Sequence, residues 1–180
     1  MGLPIKTERL LIREHLLTDL DKVHIHCSDP EVVKYMPWGP NKIEATKSFI
    51  NRIVSCQDQL ERTCYELAVI KQDDDLLIGG VCLYIDSFQD KKAWLGYRLQ
   101  QEYWDRGYAT ESAKAIIGYS FQDLKLHRIQ AKCDVLNTAS ANVLEKCGFT
   151  KEGHLREECW QKGRWRDSFL YSILKSEYYK

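Results

Sequence analysis

The spacing of hydrophobic positions changes several times along this chain, and each change marks an element. Glu8 to Arg13 (ERLLIR) reads as a first strand. Thr18 then opens a helix, with Asp21 three residues on as its capping-box partner. A second helix start follows at Ser28-Asp29-Pro30-Glu31, with Pro in the first turn and Glu three after Ser. Pro37, Gly39 and Pro40 break the chain, and Asn41 to Leu60 carries Ile43, Ile50, Ile53, Val54 and Leu60 near one helical face. Strands follow: Tyr65 to Lys71, Leu76 to Ile85 and Lys92 to Leu99, separated by the polar turns Gln72 to Asp75 and Ser87 to Lys92. Gly79-Gly80 marks a bulge inside the second of these.

Helical spacing returns at Thr110 to Leu124, with Ala113, Ile116, Ile117, Ser120, Phe121 and Leu124 on one side. His127 to Val135 alternates, placing Ile129, Ala131, Cys133 and Val135 on one face. Strand, helix and strand in that order predict parallel neighbours with a right-handed crossover. A short helix from Ser140 to Cys147 stops at Gly148, and two strands, Phe149 to Trp160 and Trp165 to Leu174, turn at Lys162-Gly163. The predicted fold class is mixed α/β: antiparallel strands, one βαβ unit, then a hairpin. With no linker, repeat or low-complexity tract, residues 1–180 read as a single domain.

Composition narrows the function. Lys plus Arg and Asp plus Glu both number 26 in 180 residues, which argues against charge-driven binding to nucleic acid or an anionic membrane. No apolar run approaches the ~20 residues of a membrane span. Met1 to Arg13 lacks the pattern of a signal peptide, and Tyr178-Tyr179-Lys180 is no lipidation box. The seven cysteines form no CxxC pair, which disfavours a disulfide framework or a zinc knot and fits a reducing cytoplasm. The five histidines form no metal-like set, so no metal is expected. The acidic run Asp73 to Asp75 reads as a solvated hairpin tip, with attraction of cationic substrates as its other reading.

Two places carry candidate chemistry. At Trp104-Asp105-Arg106-Gly107-Tyr108-Ala109-Thr110-Glu111 a loop leaves a strand and enters a helix. The first N–H groups of a helix lack internal partners and sit at its positive end, so this turn is either an anion site, suited to a pyrophosphate, or a plain β–α turn shaped by Gly107. Neither a P-loop nor a dinucleotide fingerprint is present. Asn137 and Ser140 follow the next parallel strand and so fall beside that loop, where ligands of α/β sheets collect. Asn137 is also a good helix cap.

With these residues in view, the chain resembles the GNAT superfamily of N-acetyltransferases, and within it the RimJ/RimL-type branch. The resemblance runs through Thr7-Glu8-Arg9-Leu10 with Arg13, Leu95 to Leu99, Tyr103-Trp104, and Arg106 to Glu111. It continues through Asn137-x-x-Ser140, Leu144 to Phe149, Gly163-Arg164-x-Arg166-Asp167 and Tyr171-x-Ile173-Leu174. It implies a GNAT-like fold, a mostly antiparallel twisted sheet with a splayed parallel pair and flanking helices. It also implies acetyl-coenzyme A (leaving as coenzyme A) as co-substrate and no metal. Leu99 and Gln101 would offer backbone groups to the pantetheine, Asn137 would bond the same arm, and Lys146 would reach the adenosine phosphate. The amides from Arg106 through Gly107, Tyr108 and Ala109 to Thr110 would hold the pyrophosphate. Trp104 takes the first position of the family's Q/R-x-x-G-x-G/A signature, and Asp105 departs from the frequent Trp-Gly, which leaves its carboxylate needing to point away from the phosphates.

Acetyl transfer needs a neutral amine, donors for the developing oxyanion, and an acid for the leaving thiolate. A free α-amine titrates near 8 and a lysine near 10.4, so the α-amine needs less help. Backbone around Arg98 to Gln101 is the expected oxyanion donor. By the resemblance, Ser140 stands where many relatives carry a tyrosine acid; capping or packing is its other role. Glu158 is the general base by branch resemblance, with Glu66 and Glu14 as rivals. Cys147 at a helix end is a poor nucleophile, which favours direct attack in a ternary complex. The acceptor is a protein N-terminus or a small amine such as a polyamine or aminoglycoside. Its groove is expected around Val33 to Trp38 and Arg156 to Asp167, with Trp38, Trp160 and Trp165 as lining, core or subunit interface of a homo-oligomer. The competing function is a coenzyme A sensor without turnover.

Overall fold

The computed structural model describes residues 2–179; Met1 and Lys180, which the terminal readings above include, lie outside them. The elements in chain order are β1 (Ile5–Lys6), β2 (Leu10–Glu14), α1 (Leu20–Ser28), α2 (Pro30–Val33), α3 (Ile43–Ser55), β3 (Cys64–Lys71), β4 (Leu76–Ser87) and β5 (Lys92–Leu99). Then come α4 (Tyr108–Gln122), β6 (Arg128–Asp134), α5 (Thr138–Lys146), β7 (Thr150–Gln161), β8 (Arg164–Leu174) and α6 (Lys175–Tyr178), with short 3-10 turns at Leu17–Asp19 and Gln101–Tyr103. The eight strands form one sheet in the order β1-β2-β3-β4-β5-β6-β8-β7. Every neighbouring pair is antiparallel except β5 and β6.

Alternation along the strands feeds two cores. Leu67 and Val69 of β3 join Ile116, Ile117 and Phe121 of α4 on one face of the sheet. Ala68 and Ile70, one residue out of phase, join Val23 of α1 with Ile50 and Ile53 of α3 on the other. In β4 the register jumps from Val69↔Gly79 to Ile70↔Leu77, which leaves Ile78 as the extra residue of a bulge. Glycine is required there: a Cβ on Gly79 would lie 2.2 Å from the Arg98 carbonyl oxygen.

Several local readings are corrected. The helix at Thr18 is a 3-10 turn followed by α1, and no Thr18–Asp21 box forms. Asp19 organises this corner instead, accepting the Leu16 N–H at 2.9 Å and the Arg13 guanidinium at 2.7 and 3.0 Å. Burial opposes ionisation of Asp19, but its hydrogen bonds from His15, Arg13 and Leu16 hold the carboxyl well below the usual carboxylate range. Asp29, not Ser28, caps α2 through the Glu31 N–H, because the Ser28 hydroxyl turns back to the His24 carbonyl. The third helix ends at Ser55, and Leu60 lies fully exposed beyond it. β1 carries no sequence signal of its own; two residues beside Leu11 and Ile12 are too short for a period to show.

Candidate active site

The pairing of β5 with β6 covers only Lys92 to Trp94 against Arg128 to Gln130. Beyond that the strands part: Leu95 to Leu99 pair with β4 alone, and Ala131 to Asp134 with β8 alone. A V-shaped cleft of about 670 Å3 opens between them. Arg98 and Gln100 turn toward β4, where the Gln100 N–H meets the Ile78 carbonyl at 2.9 Å. Leu99 between them faces the cleft edge, where its carbonyl accepts Trp104 Nε1 at 2.9 Å. Within a strand the N–H and C=O of one residue share an edge, so the Leu99 N–H points into the V. Of the stretch Arg98 to Gln101, where oxyanion donors were expected, the Gln100 N–H is committed to β4.

Gly107 caps α4 with φ of +82°, a left-handed conformation that turns the loop into the helix without a side chain. Gly107, Tyr108, Ala109 and Thr110 line the mouth of the cleft, as do Trp104 and Asp105, the latter with φ of +57°. Arg106 and Gln101 are exposed and stand outside the lining. Gln101 uses its side chain elsewhere, donating to both oxygens of Asp29 at 2.9 and 2.8 Å, which fastens α2 over the cleft. Asn137, Ser140 and Lys146 line the opposite wall. Asn137 Oδ1 accepts the Ser140 N–H at 3.1 Å, so it is the cap of α5 as well as part of that wall.

Two partners of this site were not singled out for a role by sequence reasoning. The Tyr97 hydroxyl lies 3.0 Å from Ser140 Oγ and 2.9 Å from the Ser140 carbonyl. Burial pushes the Tyr97 phenol up, keeping it a neutral donor. Its alternation with Leu95 and Leu99 marks it as inward-facing but does not reveal what lies opposite. The second is Arg9, which pairs with Glu111 in the first turn of α4 (Nε to Oε2, 2.7 Å), reaches the Arg106 carbonyl at 3.0 Å and stacks on Tyr108. Burial opposes ionisation of Glu111, yet hydrogen bonds from Thr7 and Arg9 hold its carboxyl below the usual range. A free carboxylate at this helix start would offset the positive end that favours an anion. Arg9→Met is therefore expected to weaken the anion site by about 1 kcal/mol, roughly fivefold. Initial rates would show it as a raised KM for acetyl-coenzyme A at unchanged kcat; an unchanged KM would remove Arg9 from this role.

The candidate bases are all ion-paired. Glu158 lies outside the cleft lining, in the irregular stretch of β7 between Leu155 and Cys159, paired with Lys132. Burial raises its pKa, but Lys132 and Ser168 bring it below the ordinary value. Glu14 binds Arg62 through both oxygens, and Glu66 is buried against Arg98 and Tyr84. Cys147 is a buried thiol, pushed up by that burial to about 11, which suits packing and not nucleophilic attack. Among the described residues no group of three or more His, Cys, Asp or Glu is placed to hold a metal. In the expected acceptor region, Tyr35 and Met36 line the cleft, while Trp38 packs in the second core. Trp160 and Trp165 meet edge to face on the surface, exposed and outside the lining.

A splayed parallel pair with a glycine-capped helix start at its mouth makes a cleft suited to a ligand that carries an anionic group. A profile of the acetyltransferase (GNAT) domain matches residues 9–150, and the chain belongs to this family. Its activity is acetyl transfer from acetyl-coenzyme A to an amine. It is 37% identical over 175 residues to the uncharacterized N-acetyltransferase YnaD of Bacillus subtilis (strain 168), covering 97% of this chain and 98% of that one. A GNAT-family acetyltransferase from Bacillus anthracis matches the fold with a TM-score of 0.85 at 34% identity, over 97% of this chain and 100% of its own. The spermidine N-acetyltransferase of Vibrio cholerae, solved with CoA and spermine, gives a TM-score of 0.85 at 25% identity, again over 97% and 100%. Among the described residues no helix is long and apolar enough to cross a membrane.

Proposed function

We propose that residues 1–180 act as one GNAT unit of the RimJ/RimL type, transferring acetyl to a primary amine by direct attack in a ternary complex. The observation that carries this reading is the parting of β5 and β6 beside the α4 N-terminus, with Tyr97 and Ser140 on the cleft wall. In it, the amides from Gly107 to Thr110 hold the pyrophosphate, with Arg106 adding a cation and Trp104 closing the loop on Leu99. Asn137 bonds the pantetheine arm and Lys146 meets the adenosine phosphate. Leu99 N–H faces the thioester oxygen and stabilises the charge that develops there. Ser140, held by the neutral Tyr97 hydroxyl, donates toward the departing sulfur.

Glu158 keeps its place as a base only through release from Lys132, so the acceptor is best matched by an amine that is partly neutral near pH 7. An α-amine, titrating near 8, meets this condition better than a lysine-like amine near 10.4. A protein N-terminus and a small molecule both satisfy it. The likeness to the Vibrio enzyme solved with spermine keeps a small amine among the acceptors, although a polyamine is of the lysine-like class that meets the condition less well. Seven free cysteines fit a reducing compartment such as the cytoplasm.

Thiol release from acetyl-coenzyme A, measured over a panel of peptides with free N-termini and small amines, tests the reading. Silence across the panel, with a clear ligand-induced rise in melting temperature, would instead favour a coenzyme A sensor. Ser140→Ala is expected to lower kcat about a hundredfold, the lower range for a positioned proton donor, at near-constant KM for acetyl-coenzyme A. Retention of full kcat would reduce Ser140 to a packing residue.

A further inference from the structure

The cleft has a second chamber. A cavity of about 90 Å3 continues between β5 and β6, sharing Tyr35, Met36, Tyr97, Asn137 and Ser140 with the main cleft. Its wall carries Lys132, Asp134 and Arg166. Asp134 is opposite Ser168 of β8, and Arg166 stands two residues before Ser168, so the strand period puts these side chains on one face of the sheet.

The charges on that face do not cancel. Lys132 is taken by Glu158. One oxygen of Asp134 accepts the Leu136 N–H at 2.9 Å; the other holds Arg164, with Arg166 Nε at 3.9 Å from it. Two guanidinium groups thus share one carboxylate oxygen. Arg166 donates from Nη1 to Gln161 Oε1 at 2.9 Å, but its Nε is buried without a hydrogen-bond partner, and the side chain is only 12% exposed. Lys132, Arg164 and Arg166 against Glu158 and Asp134 leave one surplus positive charge, centred on Arg166. A buried charged donor lacking an acceptor is costly, and a guanidinium is best satisfied by a carboxylate or phosphate. A polyamine would bring further positive charge toward this surplus.

We infer that Arg166 and its chamber select an acceptor whose amine stands a short distance from a carboxylate, an amino-acid-like small molecule and not a polyamine. This rests on the reading of the cleft as an amine acetyltransferase site. The amine then lies beside Tyr97 and Ser140, which line the same chamber, while the carboxylate pairs with the Arg166 guanidinium in its wall, the group whose Nε lacks a hydrogen-bond partner and stands 3.9 Å from Asp134.

Binding and turnover separate the two claims. α-Amino acids and their carboxamides, with spermidine alongside, are titrated calorimetrically onto the wild-type complex with coenzyme A, and onto Arg166→Met and Arg166→Lys. The acids are expected to bind at least tenfold more tightly than their amides in wild type. Arg166→Met should erase this preference and Arg166→Lys retain part of it, with the coenzyme A-dependent thermal shift of both variants unchanged. Amides or spermidine binding as tightly as the acids, a preference that survives Arg166→Met, or no binding by any acid would overturn the inference. The same pairs are then assayed for thiol release with acetyl-coenzyme A. Selective binding without release leaves the carboxylate site standing and overturns the transfer reading instead.

Discussion

Gly107→Glu is expected to abolish the stabilisation of this protein by acetyl-coenzyme A while leaving it folded. In wild type, ligand at about 100 times its Kd adds about 2.7 kcal/mol to stability. In a domain of this size each kcal/mol moves Tm by roughly 2–4 °C, so the expected rise is about 5–11 °C. The substitution acts twice at the same spot. Gly107 has φ of +82°, and a side chain in that conformation costs about 1–2 kcal/mol. Its Cβ would also stand 3.3 Å from Arg9 Nη2, the cation that neutralises Glu111. The carboxylate then adds negative charge to the helix start proposed to hold the pyrophosphate. At least about a hundredfold loss of affinity follows, a difference near 2.7 kcal/mol. Gly107→Ala keeps the strain without the charge, so part of the shift should survive in it. A full shift in Gly107→Glu would mean that the pyrophosphate lies elsewhere, and the amides from Gly107 to Thr110 would lose their assigned role.

The place and shape of that loop were readable from sequence because its geometry is local. A strand, a glycine and a helix start are consecutive, and backbone donors need no particular side chains. The same holds for Asn137 and Ser140, placed by the rule that parallel strands end on the same side. The central strand β5 and the hairpin turn at Lys162-Gly163 were equally legible, since turn residues bound the strands on both sides. Capping was less so: Thr18, Ser28 and Asp29 all have suitable side chains, and tertiary partners decided among them. Arg13 fixed Asp19, and the Gln101 amide and the Glu31 N–H took Asp29. The charged residues were the least legible. Glu158, named as the base by resemblance, and its rivals Glu66 and Glu14 each turned out to be neutralised by a cation distant along the chain: Lys132, Arg98 and Arg62. Nothing in the local pattern of a carboxylate reports a partner brought to it by sheet register.

The Glu66–Arg98 pair carries the largest expected effect on stability. Both side chains are at most 5% exposed, and Arg98 Nη1 donates to Glu66 Oε2 at 3.0 Å. Tyr84 donates its hydroxyl to the other carboxylate oxygen, while the guanidinium stacks over Phe49 and Trp38 at 5.3 and 5.8 Å. Glycine at position 80 makes room for it, since a Cβ there would come 3.1 Å from Arg98 Nη2. Removing one partner strands the other charge in the core. Arg98→Met is therefore expected to cost about 3–5 kcal/mol, and Glu66→Met a similar amount. At roughly 2–4 °C per kcal/mol, either variant should melt about 6–20 °C below wild type. The double variant should cost much less than the sum, because two apolar side chains of similar volume strand no charge. Denaturant unfolding of the four proteins in one cycle measures the coupling directly. Costs that simply add would show that the two groups are stabilised independently, the Glu66 carboxylate by Tyr84 and the guanidinium by its aromatic neighbours. The double variant also bears on the cleft, because Arg98 pairs with β4 next to Leu99, the residue whose N–H is proposed to meet the thioester oxygen. If the pair serves only the core, acetyl-coenzyme A should raise the Tm of the double variant as much as that of wild type. A smaller rise would mean that the ion pair also sets the course of β5 where it leaves β6.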